Sequence, residues 1–343
     1  MKRASWLAIV LALFELTSDV CADESLGDQS GPPALDPAAT RSIARGLASL
    51  RLRQQPDGFF GDESENYPTA QTALAILALR GSGSTTERGP DRVAIRKAAD
   101  WLLASQRPGG LFAAGDENGR PMYGHGLTVF ALAVLLADRP FSDRHAWETA
   151  LGHGASFTGA AQSVDGGWNY QPNDGDEGSV TVTQLVALRA ASALGVAVPD
   201  RVIPRADEYL ANCQNMDGSM RYSLSSSDQS RPALTAAAIV AWHSGTGRSD
   251  RRTANAIEFL DNYFQGTSPL QMPYFEYCQM YAAQAFLVSD DRLFAEHFPS
   301  IRDAIVASQL TDGSWSGTVG TTYSTAANLV TLQLPRREIV LFE

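Results

Sequence analysis

The segment Gln162-Ser163-Val164-Asp165-Gly166-Gly167-Trp168 decides the fold. A glutamine at the end of an amphipathic stretch is followed by a glycine turn and then by a large aromatic residue. The same grammar recurs at Gln55-Pro56-Asp57-Gly58-Phe59 and at Gln106-Arg107-Pro108-Gly109-Gly110-Leu111-Phe112. It returns at Gln214-Asn215-Met216-Asp217-Gly218-Ser219-Met220 and at Gln309-Leu310-Thr311-Asp312-Gly313-Ser314-Trp315. Counted from these glutamines, the copies lie 51, 56, 52 and 95 residues apart. The last gap is nearly two periods, and its midpoint carries a degenerate copy, Tyr263-Phe264-Gln265-Gly266. Six units of about fifty residues therefore fill the chain from Asp36 onward, and a fixed period of that length signals a repeat architecture.

Each unit holds two helical segments. The first is amphipathic, as in Ile95, Ala99, Leu102 and Leu103, and in the first unit Asp36-Pro37 marks its start as an N-cap followed by proline. The second is apolar around most of its circumference, over 70–79, 127–136, 180–194, 234–242, 281–288 and 325–334. A helix apolar on most sides must be buried. Alternation of the two kinds predicts an inner ring of helices inside an outer one. In the repeated turn, glycine lets the chain reverse at positive φ, the aromatic residue seals the gap between units, and glutamine bonds orphan backbone groups. These motifs read as structural, not catalytic.

Composition narrows the function classes. Hydrophobic residues make up 44% of the 343-residue chain and charged residues only 19%, which favours a large core over disorder. The formal charge of −11, with no basic run, speaks against nucleic acid as a partner. At the N-terminus Lys2 and Arg3 precede nine apolar residues at 6–14, and Val20-Cys21-Ala22 offers a small-residue cleavage site. Nine residues are too few to span a bilayer. Residues 1–22 are thus expected to be a signal peptide, 23–35 a flexible leader, and 36–343 a single repeat domain exported to the periplasm or beyond. Lipidation at Cys21 is the lesser expectation, because Ser18-Asp19-Val20 is a poor approach to a lipidated cysteine. Of the remaining two cysteines, Cys213 and Cys278, a disulfide is permitted in an exported protein, but buried thiols are expected.

The Gln-x-x-x-Gly-x-Trp/Phe pattern resembles the repeat of squalene and oxidosqualene cyclases, present in weaker form in protein prenyltransferase β chains. The resemblance covers the chain from about Asp36. It is strongest to stand-alone bacterial toroid proteins, through Asp165-Gly166-Gly167-Trp168-Asn169-Tyr170, Gly175-Asp176-Glu177-Gly178-Ser179-Val180-Thr181, Tyr323-Ser324-Thr325-Ala326-Ala327 and Leu332-Gln333-Leu334-Pro335. It implies an all-α fold, an α/α toroid of six helix hairpins. It also implies that the N-terminal ends of the inner helices face a central cavity, with Tyr67, Gln71, Tyr123, His125, Asp176, Glu177, Arg231, Tyr274, Glu276, Tyr277 and Tyr323 at its mouth.

Two catalytic constellations come with the resemblance, and both are altered. Class II terpene cyclases take their proton donor from Asp-x-Asp-Asp-Thr. The nearest match is Asp174-Gly175-Asp176-Glu177-Gly178, which would make Asp176 the donor but departs at Glu177 and Gly178. The chain also has one toroid where family triterpene cyclases pair two helical domains. Prenyltransferases hold zinc with Asp-x-Cys and the histidine of Tyr-His-Thr. Here Glu276-Tyr277-Cys278 approaches the first, and Ser324 replaces the histidine, so no metal and no cofactor are expected. Loop carboxylate pairs such as Asp62 with Glu63 or Asp116 with Glu117 allow a carbohydrate-active reading, resting on fold analogy alone. The leading expectation is a binding scaffold for an apolar small molecule or a peptide. The alternative is a cyclase-like enzyme using Asp176.

Overall fold

The computed structural model describes residues 36–62, 66–138, 144–227, 229–246 and 250–337. The expected signal peptide, leader and Cys21 lie outside these residues, as does Glu63. Twelve α-helices occur among the described residues, and no strand. The odd-numbered ones form the outer layer: α1 Pro37–Arg51, α3 Arg92–Ala104, α5 Arg144–Ala160, α7 Val202–Asn212, α9 Arg251–Gly266 and α11 Asp291–Ala307. The even-numbered ones form the inner layer: α2 Pro68–Gly81, α4 Pro121–Ala137, α6 Gly178–Ala193, α8 Pro232–Thr246, α10 Phe275–Ser289 and α12 Thr321–Gln333.

The inner helices are buried on nearly every side, as their all-round apolar surfaces require. Each packs on the next, and α12 returns to α2, so the inner ring is closed. Gln333 Nε2 crosses that closure to the carbonyl of Ala78 at 3.0 Å. None of the described helices is long and apolar enough to cross a membrane. At the first described turn, Asp36 Oδ1 accepts from the Ala39 amide at 2.6 Å with Pro37 beside it, which is the cap the sequence predicts.

The turn motif works as one repeated joint. Its glutamine Nε2 donates to the glycine carbonyl four residues on and to a carbonyl of the next outer helix. Gln106 reaches Gly110 and Ala150, Gln162 reaches Gly166 and Val202, and Gln214 reaches Gly218 and Arg252. In the first unit Gln54 does this, bonding Gly58 and Ala94 at 3.0 and 2.8 Å, while Gln55 bonds Gly61. The reading that began this copy at Gln55 was one residue late; the invariant feature is the four-residue step to glycine. That step also moves the sealing residue from Phe59, which lies against Trp101, to the fully buried Phe60.

The seal is fixed by a second repeated bond. The amides of Phe60, Phe112, Trp168, Met220 and Trp315 donate to Thr72, His125, Thr181, Thr235 and Thr325 of the inner helix that follows, at 2.9–3.1 Å. Burying each sealing side chain contributes about 2–3 kcal/mol. Gly313 shows why the turn needs glycine. Its φ is +85°, and an added β-carbon would lie 2.6 Å from the carbonyl oxygen of Arg45 on α1.

The fifth unit lacks this joint. Gln265 Nε2 bonds Asp261 on its own helix at 3.0 Å, and a β-carbon on Gly266 would meet nothing within 4 Å. The α9–α11 contact is made instead by Asp261 and His297, at 2.7 Å, with the imidazole stacked on Phe286. Met272 takes the sealing place beside Cys278 Sγ, at 3.7 Å. Cys278 and Cys213 are buried free thiols, not a disulfide.

Candidate binding cavity

All six inner helices begin on the same face of the ring, and their N-terminal ends surround a cavity of about 1020 Å³. Tyrosine dominates its wall. Eight of the ten tyrosines in the chain line it, and every repeat supplies at least one. Tyr67 caps α2, Tyr123 lies in the first turn of α4, Tyr170 and Tyr222 precede α6 and α8, Tyr274 and Tyr277 open α10, and Tyr323 opens α12. Tyr263 comes from outer helix α9, where the fifth unit is irregular.

Two of these positions are held against backbone preference. Tyr67 and Tyr274 have φ of 63° and 53°, in the left-handed region that costs a non-glycine residue on the order of 1 kcal/mol or more. Each still passes its carbonyl to the helix it caps, through the amides of Gln71 and Cys278. The phenols form a layered network. Tyr123 and Tyr323 hydroxyls are 3.2 Å apart, and the Tyr277 and Tyr281 rings stand 4.7 Å apart beside them. Tyr222 donates to Tyr170 at 3.1 Å, and Asn118 Nδ2 donates to Tyr67 at 3.0 Å. Burial pushes Tyr123 and Tyr277 well above the ordinary phenol range and Tyr281 up to about 12, so all three stay neutral hydrogen-bond donors.

Charge enters the wall at three points. Arg120 stands 4.8 Å over the Tyr170 ring and Arg231 6.0 Å over the Tyr222 ring. Neither forms an ion pair among the described residues, and the Nε of Arg231 is buried without a partner. Glu276 is the only carboxylate on the described wall. The cavity is therefore aromatic in body, with two guanidinium groups on one flank and one carboxylate on another.

Of the expected mouth residues, Tyr67, Tyr123, Arg231, Tyr274, Glu276, Tyr277 and Tyr323 line the cavity together. Gln71 and His125 do not. Gln71 is buried and donates to the Asn66 carbonyl at 2.6 Å. His125 occupies the place that threonine holds in four other units. Its Nδ1 accepts from the Phe112 amide, so Nε2 carries the proton toward Thr158 Oγ1 at 2.9 Å, and burial lowers its pKa to about 3.

The carboxylates of the cyclase-like segment are also off the wall. Asp174 is exposed. Asp176 lies between the layers, its Oδ2 3.4 Å from Ser163 Oγ and its side chain near Tyr209 of α7. Glu177 caps α6, accepting from the amides of Val180 and Ser179 at 2.5 and 2.9 Å, and burial raises its pKa. Glu117 likewise serves as a buried cap, accepting from Ala114 and from Thr69 at the head of α2. Burial raises its carboxyl as well.

The zinc-like trio does not fit a metal ion. The Cys278 thiol faces the Met272 sulfur and is pushed up to about 12 by burial, whereas zinc requires a thiolate. Arg120, Tyr170, Tyr222, Phe259 and Tyr263 line the cavity without having been singled out from sequence. Tyr170 and Tyr222 carried a usable signal, since each stands two residues after its sealing residue.

No protein-family model matches the chain, and no curated protein matches it in sequence. Solved structures do match in shape. A protein from Actinoplanes overlays with a TM-score of 0.61 at 15% identity, over 88% of this chain and 100% of that one. The type II terpene cyclase MstE from Scytonema overlays with a TM-score of 0.57 at 14% identity, over 89% of this chain and 100% of its own. A protein described as a wild-type glycosidase gives 0.59 at 11%, over 90% and 100%.

The chain therefore has the α/α toroid fold of terpenoid-cyclase-like proteins. At these identities the likeness concerns the fold, which hosts unrelated activities. One expectation is corrected by it. A single toroid is no argument against cyclase chemistry, because this ring spans the entire chain of a type II cyclase.

Proposed function

We propose that the protein is an exported binding protein that holds one aromatic or peptide-like guest in the tyrosine-lined mouth of its ring. The observation that carries this reading is the convergence of eight tyrosines, drawn from all six repeats, on one cavity of about 1020 Å³. Phenol rings offer large rigid contact area at low entropic cost, and their neutral hydroxyls donate to polar atoms of a guest. Arg120 and Arg231, both without carboxylate partners among the described residues, suit an anionic group at one end.

A cyclase reading needs a carboxylic acid aimed at the guest. Asp176 is absent from the cavity wall, and Glu177 spends its oxygens on helix capping. That distribution favours binding over alkene protonation. Native mass spectrometry of the protein purified from cells tests the reading: a small-molecule adduct of defined mass is expected on the wild type. Turnover of a polyprenyl substrate that disappears in Asp176→Asn would overturn it. Sequencing the N-terminus of the purified protein tests export, with cleavage after Ala22 expected.

A further inference from the structure

Beside the tyrosine cavity lies a smaller chamber of about 620 Å³, bounded by Phe275 of α10, Asn328 of α12 and the turn carrying Trp315, Gly317 and Thr318. It shares the wall residues Arg231, Tyr274 and Glu276 with the main cavity, so the two spaces adjoin. Alongside donors from Arg231, Tyr274, Ser316 and Thr318, partnerless side-chain oxygens stand on or just behind its wall. Ser324 is fully buried, and its Oγ has no hydrogen-bond partner. One turn along α12, Asn328 is 1% exposed, lines the chamber, and leaves its Oδ1 equally unpartnered. Glu276 faces both spaces and makes no hydrogen bond or ion pair among the described residues.

Gly317 keeps this group open. A β-carbon there would overlap both the Glu276 carboxylate and the Ser324 hydroxyl, so the two oxygens face each other across the space a methyl would fill. The turn itself does not demand glycine at this point, because Gly317 is not among the residues with positive φ. What its missing side chain preserves is room.

Buried polar atoms left without partners are destabilising, and the half-buried Glu276 carboxylate beside them has no ion-pair partner among the described residues. Arg231 is the one cation on this described wall and makes no ion pair with Glu276, so a compact donor of positive charge is what would reach the carboxylate and the Asn328 oxygen together. A primary ammonium fits: it carries three N–H donors, and the wall offers the Glu276 carboxylate and the Asn328 amide oxygen, with the buried Ser324 hydroxyl behind the gap at Gly317. We propose that this chamber is the subsite for a protonated primary amine of the guest, with Glu276 as counter-ion and Ser324 and Asn328 accepting the other two N–H bonds. The proposal rests on the cavity reading above and narrows it. With Arg231 on the shared wall, the guest is one that presents an amine and an acid around an aromatic body, as a short peptide does.

The test is calorimetric titration of the full chain with benzylamine and with benzyl alcohol, which differ little except for the ammonium. The wild type is expected to bind the amine at least about tenfold more tightly, the scale of one charge-assisted contact. Glu276→Gln is expected to abolish that preference, weakening benzylamine binding at least about tenfold and benzyl alcohol binding far less. Gly317→Ala, whose methyl overlaps the Glu276 carboxylate and the buried Ser324 hydroxyl, is expected to do the same with some loss of melting temperature. Equal binding of both probes by the wild type would overturn the subsite and leave the cavity reading standing. Binding of neither probe would overturn the cavity reading and the subsite with it. A preference surviving both substitutions would overturn the assignment to these residues. Calcium that displaces benzylamine from the wild type, and stabilises it but not Glu276→Gln, would assign the oxygens to a metal ion instead.

Discussion

Gln309 and Ser42, 267 residues apart in sequence, exchange two hydrogen bonds across the closure of the ring. Ser42 Oγ donates to Gln309 Oε1 at 2.9 Å, and Gln309 Nε2 donates to the Ser42 carbonyl at 2.9 Å and to the Gly313 carbonyl at 2.8 Å. The last repeat thereby binds the first with the same joint that links neighbours elsewhere.

Gln309→Ala should therefore cost about 2–3 kcal/mol, since it strands a hydroxyl and two carbonyls in partly buried positions. Gln265→Ala, in the degenerate copy, removes only a local bond to Asp261 and should stay within about 0.5 kcal/mol of the wild type. Urea unfolding of both variants checks the contrast. Equal losses would mean that the motif glutamine is not the joint.

Glycine replacement should show the same division. Gly313→Ala adds a β-carbon against the Arg45 carbonyl at positive φ and should destabilise by about 1–3 kcal/mol. Gly266→Ala places its methyl in open space at the end of α9, where alanine should be neutral or stabilising by up to about 1 kcal/mol. Thermal melting of the pair reads the difference directly.

His125 makes a pH-dependent contribution. Its folded pKa is lowered from 6.5 to about 3, so between these values the unfolded chain binds the extra proton. Stability from this residue is fully present above pH 6.5 and is lost as pH falls through that interval, at about 1.4 kcal/mol per unit. His125→Thr restores the threonine of the other joints. It should lose some packing at neutral pH but fall by about 2 kcal/mol less than the wild type between pH 6.5 and about 5. Parallel pH profiles for the two proteins would contradict the assignment of that slope to His125.

The fold was legible in the sequence because each joint is local. Glutamine, glycine four residues on and a large apolar residue two further on are contiguous, and each serves the same contact in every regular unit. Register was less secure, since Gln54 and Gln55 are adjacent; the four-residue step to Gly58 selects Gln54, and its bonds to Gly58 and Ala94 bear that out. The cavity was half legible. Residues at helix starts, such as Tyr123 and Tyr323, follow from the ring geometry, whereas Tyr263 enters only because the fifth unit is irregular. His125 was misread because its role depends on the Phe112 amide, 13 residues away, and not on any ligand-like spacing. At the smaller chamber the resemblance paired Glu276 with Ser324, but Gly317 and Asn328 could not be read, because they join them only through the packing of α10, α12 and one turn.

The central claim is that the tyrosine cavity is the binding site. It is tested most directly by equilibrium titration of 8-anilinonaphthalene-1-sulfonate, an aromatic anion, into the native wild type and into a Tyr170→Ala, Tyr222→Ala variant that strips two rings from the partly exposed rim of the cavity. Saturable binding of one probe per chain to the wild type, lost in the variant at an unchanged melting temperature, is the predicted result. Equal binding by both proteins would contradict it.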